Sequence, residues 1–260
     1  MQIKQFITLS IILIPFLQAY SQDTAVENDK LSKQDLKTVT DFIKVIRDKN
    51  LDELGARISF PLARKYPVPE IKNKDEFLKR HDEVFDDSLT KMILISDPNK
   101  DWSAMGWRGI MLHDGMLWID YDGKLLSVYQ SKFEETEWEE LVKKEKKDLY
   151  VSIRTFIQPI CILETKKYRI RIDESSEGNY RYSAWPLKSK MSDKPEIVLE
   201  NGERVFDGSG GNHYYKFKNS EYTYECWIIV MGEDSSPPAL LEIYKGDKAI
   251  LSQRAEIITK

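Results

Sequence analysis

The sequence predicts an α+β protein, a unit of helices with a short strand meander followed by a small antiparallel β-barrel or sandwich. Three observations carry this. Apolar residues recur at helical spacing early in the chain, short apolar runs separated by turn dipeptides come next, and a tyrosine-rich second half repeats such runs after a charged stretch. With 260 residues, 41% hydrophobic and 32% charged, the chain can build one large or two ordinary domains around a real core, which excludes disorder throughout. Lys and Arg total 39 against 43 Asp and Glu, a net charge of -4. There is no basic excess to neutralise phosphates, so no nucleic-acid partner is expected. Three His and two Cys, unclustered, do not form a multi-ligand zinc pattern, and neither a metal nor a cofactor is expected.

The first residues read as an address. Lys4, an apolar run from Phe6 to Leu17, and the small pair Ala19 and Ser21 have the layout of a signal peptide over 1–21, cleaved after Ser21. The run falls short of the roughly 20 residues that span a bilayer, and no Cys follows it for acylation. The expectation is a periplasmic or secreted protein without a stable membrane anchor, whose mature charge is -5 once Lys4 is removed. In an oxidising compartment Cys161 and Cys226 are expected to pair; two buried thiols are the alternative.

The first domain spans 33–130. Ser32 and Asp35 have capping spacing ahead of Leu36, Val39, Ile43 and Ile46, which predicts a helix of about four turns. Phe60-Pro61 and Tyr66-Pro67-Val68-Pro69 interrupt helix, and Asn73 with Glu76 caps a second one through Phe77, Leu78, Val84 and Phe85. Strands are expected at 92–95, 106–112, 116–120 and 125–129, with turns at Asp114-Gly115 and Asp122-Gly123. A connector over 131–148 places Glu139 and Glu140 four residues before Lys143 and Lys144, as in a solvated helix. The all-β domain, 149–260, is punctuated by Asn201-Gly202, Asn219-Ser220 and Gly246-Asp247 and accommodates seven or eight strands.

Common nucleophile, Walker, zinc-protease and dinucleotide motifs are absent. The most unusual local sequence runs from Asp207 to Tyr214, where three glycines would expose Ser209, Gly210, Gly211, Asn212 and His213 at a loop tip beside Tyr214. Those six residues form a candidate binding loop; the alternative is a turn joining two strands. Asp101, Asp114, Asp120 and Asp122 lie near Trp102, Trp107, Arg108 and Trp118, a mixture suited either to a polar-ligand pocket or to core strands and their turns. His81 sits on the apolar face of the second predicted helix, as a cavity-lining acid or base does and as a satisfied buried histidine also does. Tyr180/Tyr182 and Tyr222/Tyr224 each present two rings on one sheet face, for binding or for cross-strand packing.

The order of elements from 33 to about 130, with Gly106-Trp107-Arg108-Gly109 and Leu117-Trp118-Ile119-Asp120 in the meander, resembles the NTF2-like superfamily, in which a curved sheet forms a cone around a pocket. That resemblance implies a cone with His81 facing its interior and Trp107, Arg108 and Asp120 shaping it. Residues 161 to about 254 resemble the periplasmic inhibitors of C-type lysozyme, small β-barrels that plug the lysozyme cleft with a Ser-Gly loop and a nearby Tyr. Here Ser209, Gly210 and Tyr214 correspond, with three residues between Gly210 and Tyr214 where the family usually has two. The family's second, lysine-containing loop falls at Met231 to Ala239, which has no Lys. Two functions from different classes follow. One is a non-catalytic exported binding protein whose 207–214 loop contacts a protein, such as a lysozyme or a toxin, or a glycan. The other is a small-molecule-binding or isomerase/dehydratase-like enzyme with its site in the N-terminal cone and His81 as general base.

Overall fold

A computed structural model describes residues 30–129 and 132–259. The expected leader, and with it the cleavage site, lies outside the described residues.

The first helix, α1 (Lys33–Arg47), starts where its sequence dictates. Ser32 accepts from the Asp35 amide at 3.2 Å and Asp35 accepts from the Ser32 amide at 2.9 Å, a reciprocal cap that satisfies two otherwise orphaned N–H groups. After the short α2 (Leu51–Ala56), the chain crosses cis Phe60-Pro61 and cis Tyr66-Pro67. Then α3 (Lys74–Val84) begins at Asn73, whose side chain accepts from the Glu76 amide at 3.0 Å.

The segment expected as a strand at 92–95 is instead the end of a fourth helix, α4 (Asp87–Ile95). Its N-cap, Asp86, accepts from the Leu89 amide at 2.8 Å, and Leu89 and Ile93, four residues apart, are the positions it buries. That cap and that spacing outweigh the strand propensity of the apolar run Met92 to Ile95.

Four short strands follow as an antiparallel meander: β1 (Trp102–Ala104), β2 (Ile110–Leu112), β3 (Leu117–Ile119) and β4 (Leu125–Val128). The expected strand 106–112 is shortened at its start, because Gly106 and Gly109 adopt φ of +60° and +94° and wind 106–108 into a 3₁₀ turn. Ile110, Leu112, Leu117, Ile119 and Leu125 are buried in one core with Val39, Phe42, Ile43 and Ile46 of α1. The Phe42 and Trp102 rings meet edge to face at 6.4 Å.

The charged stretch forms α5 (Lys132–Asp148), whose Glu139, Glu140, Lys143 and Lys144 are exposed as expected, with Lys143 2.7 Å from Glu140, while other positions of the helix are engaged by the rest of the protein. Its Glu134 is buried and accepts from Arg64 Nε at 3.1 Å and from the Lys65 amide at 2.7 Å. Trp138 donates to the Tyr66 carbonyl at 2.8 Å. Farther along, Glu145 bonds the Tyr66 hydroxyl through one oxygen and Arg171 Nη2 at 2.9 Å through the other. The helix is thus a buttress between the 64–66 segment and the second unit.

That second unit is a closed barrel of eight antiparallel strands: β5 (Gln158–Glu164), β6 (Tyr168–Ser176), β7 (Asn179–Pro186), β8 (Ile197–Phe206), β9 (His213–Asn219), β10 (Tyr222–Ile228), β11 (Ala239–Lys245) and β12 (Lys248–Thr259). Each strand pairs with its predecessor, and β12 pairs back onto β5, with Glu256 opposite Glu164. Asn201-Gly202, expected as a turn, lies inside β8. Asn201 takes a left-handed φ of +58°, and Gly202 leaves the space filled by Phe217, whose ring a Cβ there would meet at 2.2 Å. The lumen is filled by side chains such as Leu163, Ile172, Tyr182, Phe217 and Leu241.

Cys161 and Cys226 both lie in this interior, and the expected disulfide is not formed. β5 and β10 are not neighbours but are separated by β11 and β12 in the barrel order, so the two cysteines are not a cross-strand pair and each thiol is packed separately among apolar lumen side chains. Burial pushes the Cys226 thiol well above its ordinary pKa.

Candidate functional site

The candidate loop connects β8 to β9 at one end of the barrel. It is closed by the Asp207 amide donating to the Asn212 carbonyl at 2.8 Å, with Gly208 and Gly211 at φ of +69° and +89°. Asn212 is committed to the scaffold. Its Oδ1 accepts from the amides of Val230 and Met231, and its Nδ2 donates to the Met231 carbonyl, all at 2.8 Å. It therefore ties the loop to the β10–β11 connection rather than presenting its amide to a partner.

His213 is also turned inward, with Nδ1 at 2.9 Å from the Gly211 carbonyl and its ring 5.6 Å from that of Tyr215. Tyr214 is half-buried on the outer wall, where its ring lies 4.3 Å from that of its cross-strand neighbour Trp227. Of the six expected loop residues, Ser209 and Gly211 are exposed and Gly210 partly so. Gly210 and Gly211 lie close against the neighbouring connection: added Cβ atoms would meet Met231 Sδ at 3.1 Å and Val230 Cγ1 at 3.5 Å.

Sequence reasoning missed the apolar part of this rim. Phe206, Val230 and Met231 are 65%, 57% and 52% exposed. Val230 and Met231 border the loop directly, while the Phe206 ring sits 6.1 Å from that of His213 with the Arg204 guanidinium over it at 4.6 Å. The available signal was the apolar run Ile229 to Met231 continuing past the end of β10 into a connection rich in Gly, Ser and Pro.

The cone residues are not brought together. The inner face of β1–β4 packs against α1 and leaves a filled core. Trp107 is 69% exposed on the 3₁₀ turn. Arg108 lies over the Trp118 ring at 5.7 Å, and the exposed Asp120 accepts from the Tyr121 amide at 2.7 Å. His81 lies elsewhere, at the C-terminal end of α3, with Nε2 3.0 Å from Asp82 Oδ1. It borders an open groove of about 290 Å³ floored by Val45, Ile46, Leu54 and Phe85, with Asp87 and Thr90 on its margin. The tyrosine pairs serve packing: Tyr182 meets Phe217 at 5.6 Å and Tyr224 at 5.7 Å, and Tyr180 meets Tyr215 at 4.8 Å.

A second unforeseen cluster sits on the outer wall beneath α5. Arg171 and Asp173 of β6 and Arg181 of β7 point away from the lumen yet are buried. Asp173 accepts from Arg171 Nε at 2.8 Å and from Arg181 Nη2 at 3.0 Å. Arg181 also donates to the carbonyls of Ile153 and Thr155 at 2.7 and 3.0 Å. The alternation on these strands is legible, but charged residues at outward positions read as solvent-facing until α5 is placed over them. Among the described residues, no group of three or more His, Cys, Asp or Glu side chains is positioned to hold a metal ion, and no helix is long and apolar enough to cross a membrane.

The fold and the rim define a class: an α+β protein in which a helix-and-meander unit is buttressed by one helix onto a closed eight-stranded barrel with an exposed apolar rim. Comparison with protein-family models, curated proteins and solved structures finds no match for this chain.

Proposed function

We propose that this chain is an exported, non-catalytic binding protein that engages a protein or glycan partner through the barrel rim at 206–212 and 230–231. The observation that carries this reading is the exposure of Phe206, Val230 and Met231 beside a glycine loop held in place by Asn212. A preorganised apolar patch next to a loop already tied to the scaffold costs little ordering on association. The sequence resemblance directs the choice of partner toward a C-type lysozyme, with a toxin neutralised in the periplasm as the other protein partner of the same kind. The small barrel and the exposed Ser209 support that choice. The test is lysis of a cell-wall suspension by a lysozyme panel with and without the chain. Inhibition that weakens by about 1 kcal/mol in Ser209→Ala supports the reading. No inhibition of any lysozyme removes that partner, and inhibition unchanged by Ser209→Ala removes the loop.

A second reading, a small-molecule site at His81, is favoured by the groove of about 290 Å³ with its apolar floor and its His81–Asp82 contact. Loss of a bound small molecule in His81→Ala, detected by thermal shift across a metabolite library, is its test.

A further inference from the structure

The barrel end that carries the rim has a charge signature visible only once the strands are ordered. Up-and-down topology brings three connections to that end: 177–178 between β6 and β7, 207–212 between β8 and β9, and 229–238 between β10 and β11. They carry four carboxylates, Glu177, Asp207, Glu233 and Asp234, and no Lys, Arg or His. The connections at the opposite end, 165–167, 187–196, 220–221 and 246–247, hold five lysines beside four acidic residues.

The arginines at this end are engaged by the protein: Arg154, in the segment that enters β5, donates to the carbonyls of Leu149 and Lys147 at 2.8 and 3.0 Å. The Arg204 guanidinium lies over the rings of Phe206 and Tyr215 at 4.6 and 6.0 Å, and Arg254 donates to the Ser235 carbonyl at 2.9 Å. Asp207 follows Phe206 directly, and Glu233 and Asp234 follow Met231 closely, so the exposed apolar residues and the carboxylates belong to one surface.

We infer that this end of the barrel selects a protein partner whose surface is cationic around an apolar recess, an inference that rests on the binding function proposed above. Carboxylates at a solvated margin set the rate and the selectivity of encounter, while the apolar contacts set residence time. Against a C-type lysozyme, the rim would meet the enzyme's lysines and arginines rather than offer a cation to its catalytic acids. The absence of Lys from Met231 to Ala239 is then part of the recognition.

The experiment measures association and dissociation of the full chain with a purified C-type lysozyme, native and lysine-acetylated, at low and physiological salt. Two variants are compared: Asp207→Asn/Glu233→Gln/Asp234→Asn and Phe206→Ser/Met231→Ser, each verified by circular dichroism. The expected result is binding to the native probe that weakens at least tenfold on acetylation, with an on-rate that falls about tenfold with salt and in the charge variant. The apolar variant should instead dissociate at least tenfold faster. Equal binding of the two probes, or an undiminished on-rate in the charge variant, overturns this inference and leaves the rim as a binding surface. Binding unaffected by the apolar variant is nonspecific adsorption and overturns both, whereas binding of neither probe overturns this inference and removes lysozyme as the partner while leaving the rim as a binding surface. The probe arm does not depend on either variant folding.

Discussion

Replacing Asp173 by Asn should be among the most damaging single changes in the barrel. The side chains of Arg171 and Asp173 are fully buried and that of Arg181 nearly so, and Asp173 is the only carboxylate within 3.0 Å of both guanidinium groups among the described residues. Asn preserves volume but removes the negative charge, leaving Arg171 with Glu145 at 2.9 Å and Arg181 with Glu200 at 3.9 Å. Removing one member of a buried ion pair costs about 3–5 kcal/mol, because the remaining charge stays desolvated. Glu145→Gln should cost less, about 1–2 kcal/mol, since Glu145 is 23% exposed on its side chain, Arg171 keeps Asp173, and the amide oxygen still accepts a hydrogen bond. Urea unfolding followed by tryptophan fluorescence, with Trp185 buried among Val142, Leu149, Ile153 and Phe156, gives both values. At a slope of about 2 kcal/mol/M, Asp173→Asn moves the midpoint down by roughly 2 M. The apolar triple variant Arg171→Met/Asp173→Leu/Arg181→Met should fall far less than Asp173→Asn. A loss below about 1 kcal/mol in Asp173→Asn, or a triple variant worse than it, would refute the reasoning.

Asn212→Ala should cost about 1–3 kcal/mol and release the rim, seen as faster hydrogen exchange at the amides of Val230 and Met231, which lose their acceptor. Gly109→Ala should be strongly destabilising in thermal unfolding, since its Cβ would fall 2.4 Å from the Ile119 carbonyl oxygen at a φ of +94°. Burial raises Tyr66, Tyr182 and Tyr215 above the ordinary value of 10, and Tyr244 is pushed up to about 12, first by its hydrogen bond to Glu242. The unfolded chain therefore releases these protons first, and stability, constant with respect to these groups below pH 10, should fall as pH rises through 10 toward 12, with tyrosinate absorbance lagging until unfolding. Both cysteines should react with a thiol reagent only in denaturant, and a reductant should leave the melting temperature unchanged; two equivalents reacting in the native state would contradict their burial.

Local chemistry was legible where it is decided locally. The Ser32 and Asn73 caps, the turns at 113–116 and 122–123, and the division into a helix-meander unit and an antiparallel β unit all follow from nearby residues. The reading failed where a distant partner decides. Asn201-Gly202 bulges a strand because Phe217 needs the space, whereas the helix over 92–95 had a local signal, the Asp86 cap with Leu89 and Ile93 four apart, that the strand propensity of its apolar run obscured. The charged face of α5 at Glu139, Glu140, Lys143 and Lys144 was legible and is exposed, but the engagement of Glu134 and Glu145 depends on Arg64, Tyr66 and Arg171 far away in the chain. The Ser-Gly loop was found by its glycines, but the inward commitment of Asn212 and His213 and the exposure of Met231 depend on a connection some twenty residues on.

The closure of β12 onto β5 has a consequence for biogenesis. Glu164 waits for Glu256, so the barrel cannot seal until 92 further residues have been synthesised, and before then β5 and β11 each present an open strand edge. The helix-and-meander unit has no such debt and can fold while the remainder is still on the ribosome. A nascent or truncated chain lacking 248–259 should therefore behave as a folded first unit trailing an adhesive, chaperone-dependent second one, and the final strand acts as the clasp that removes both open edges.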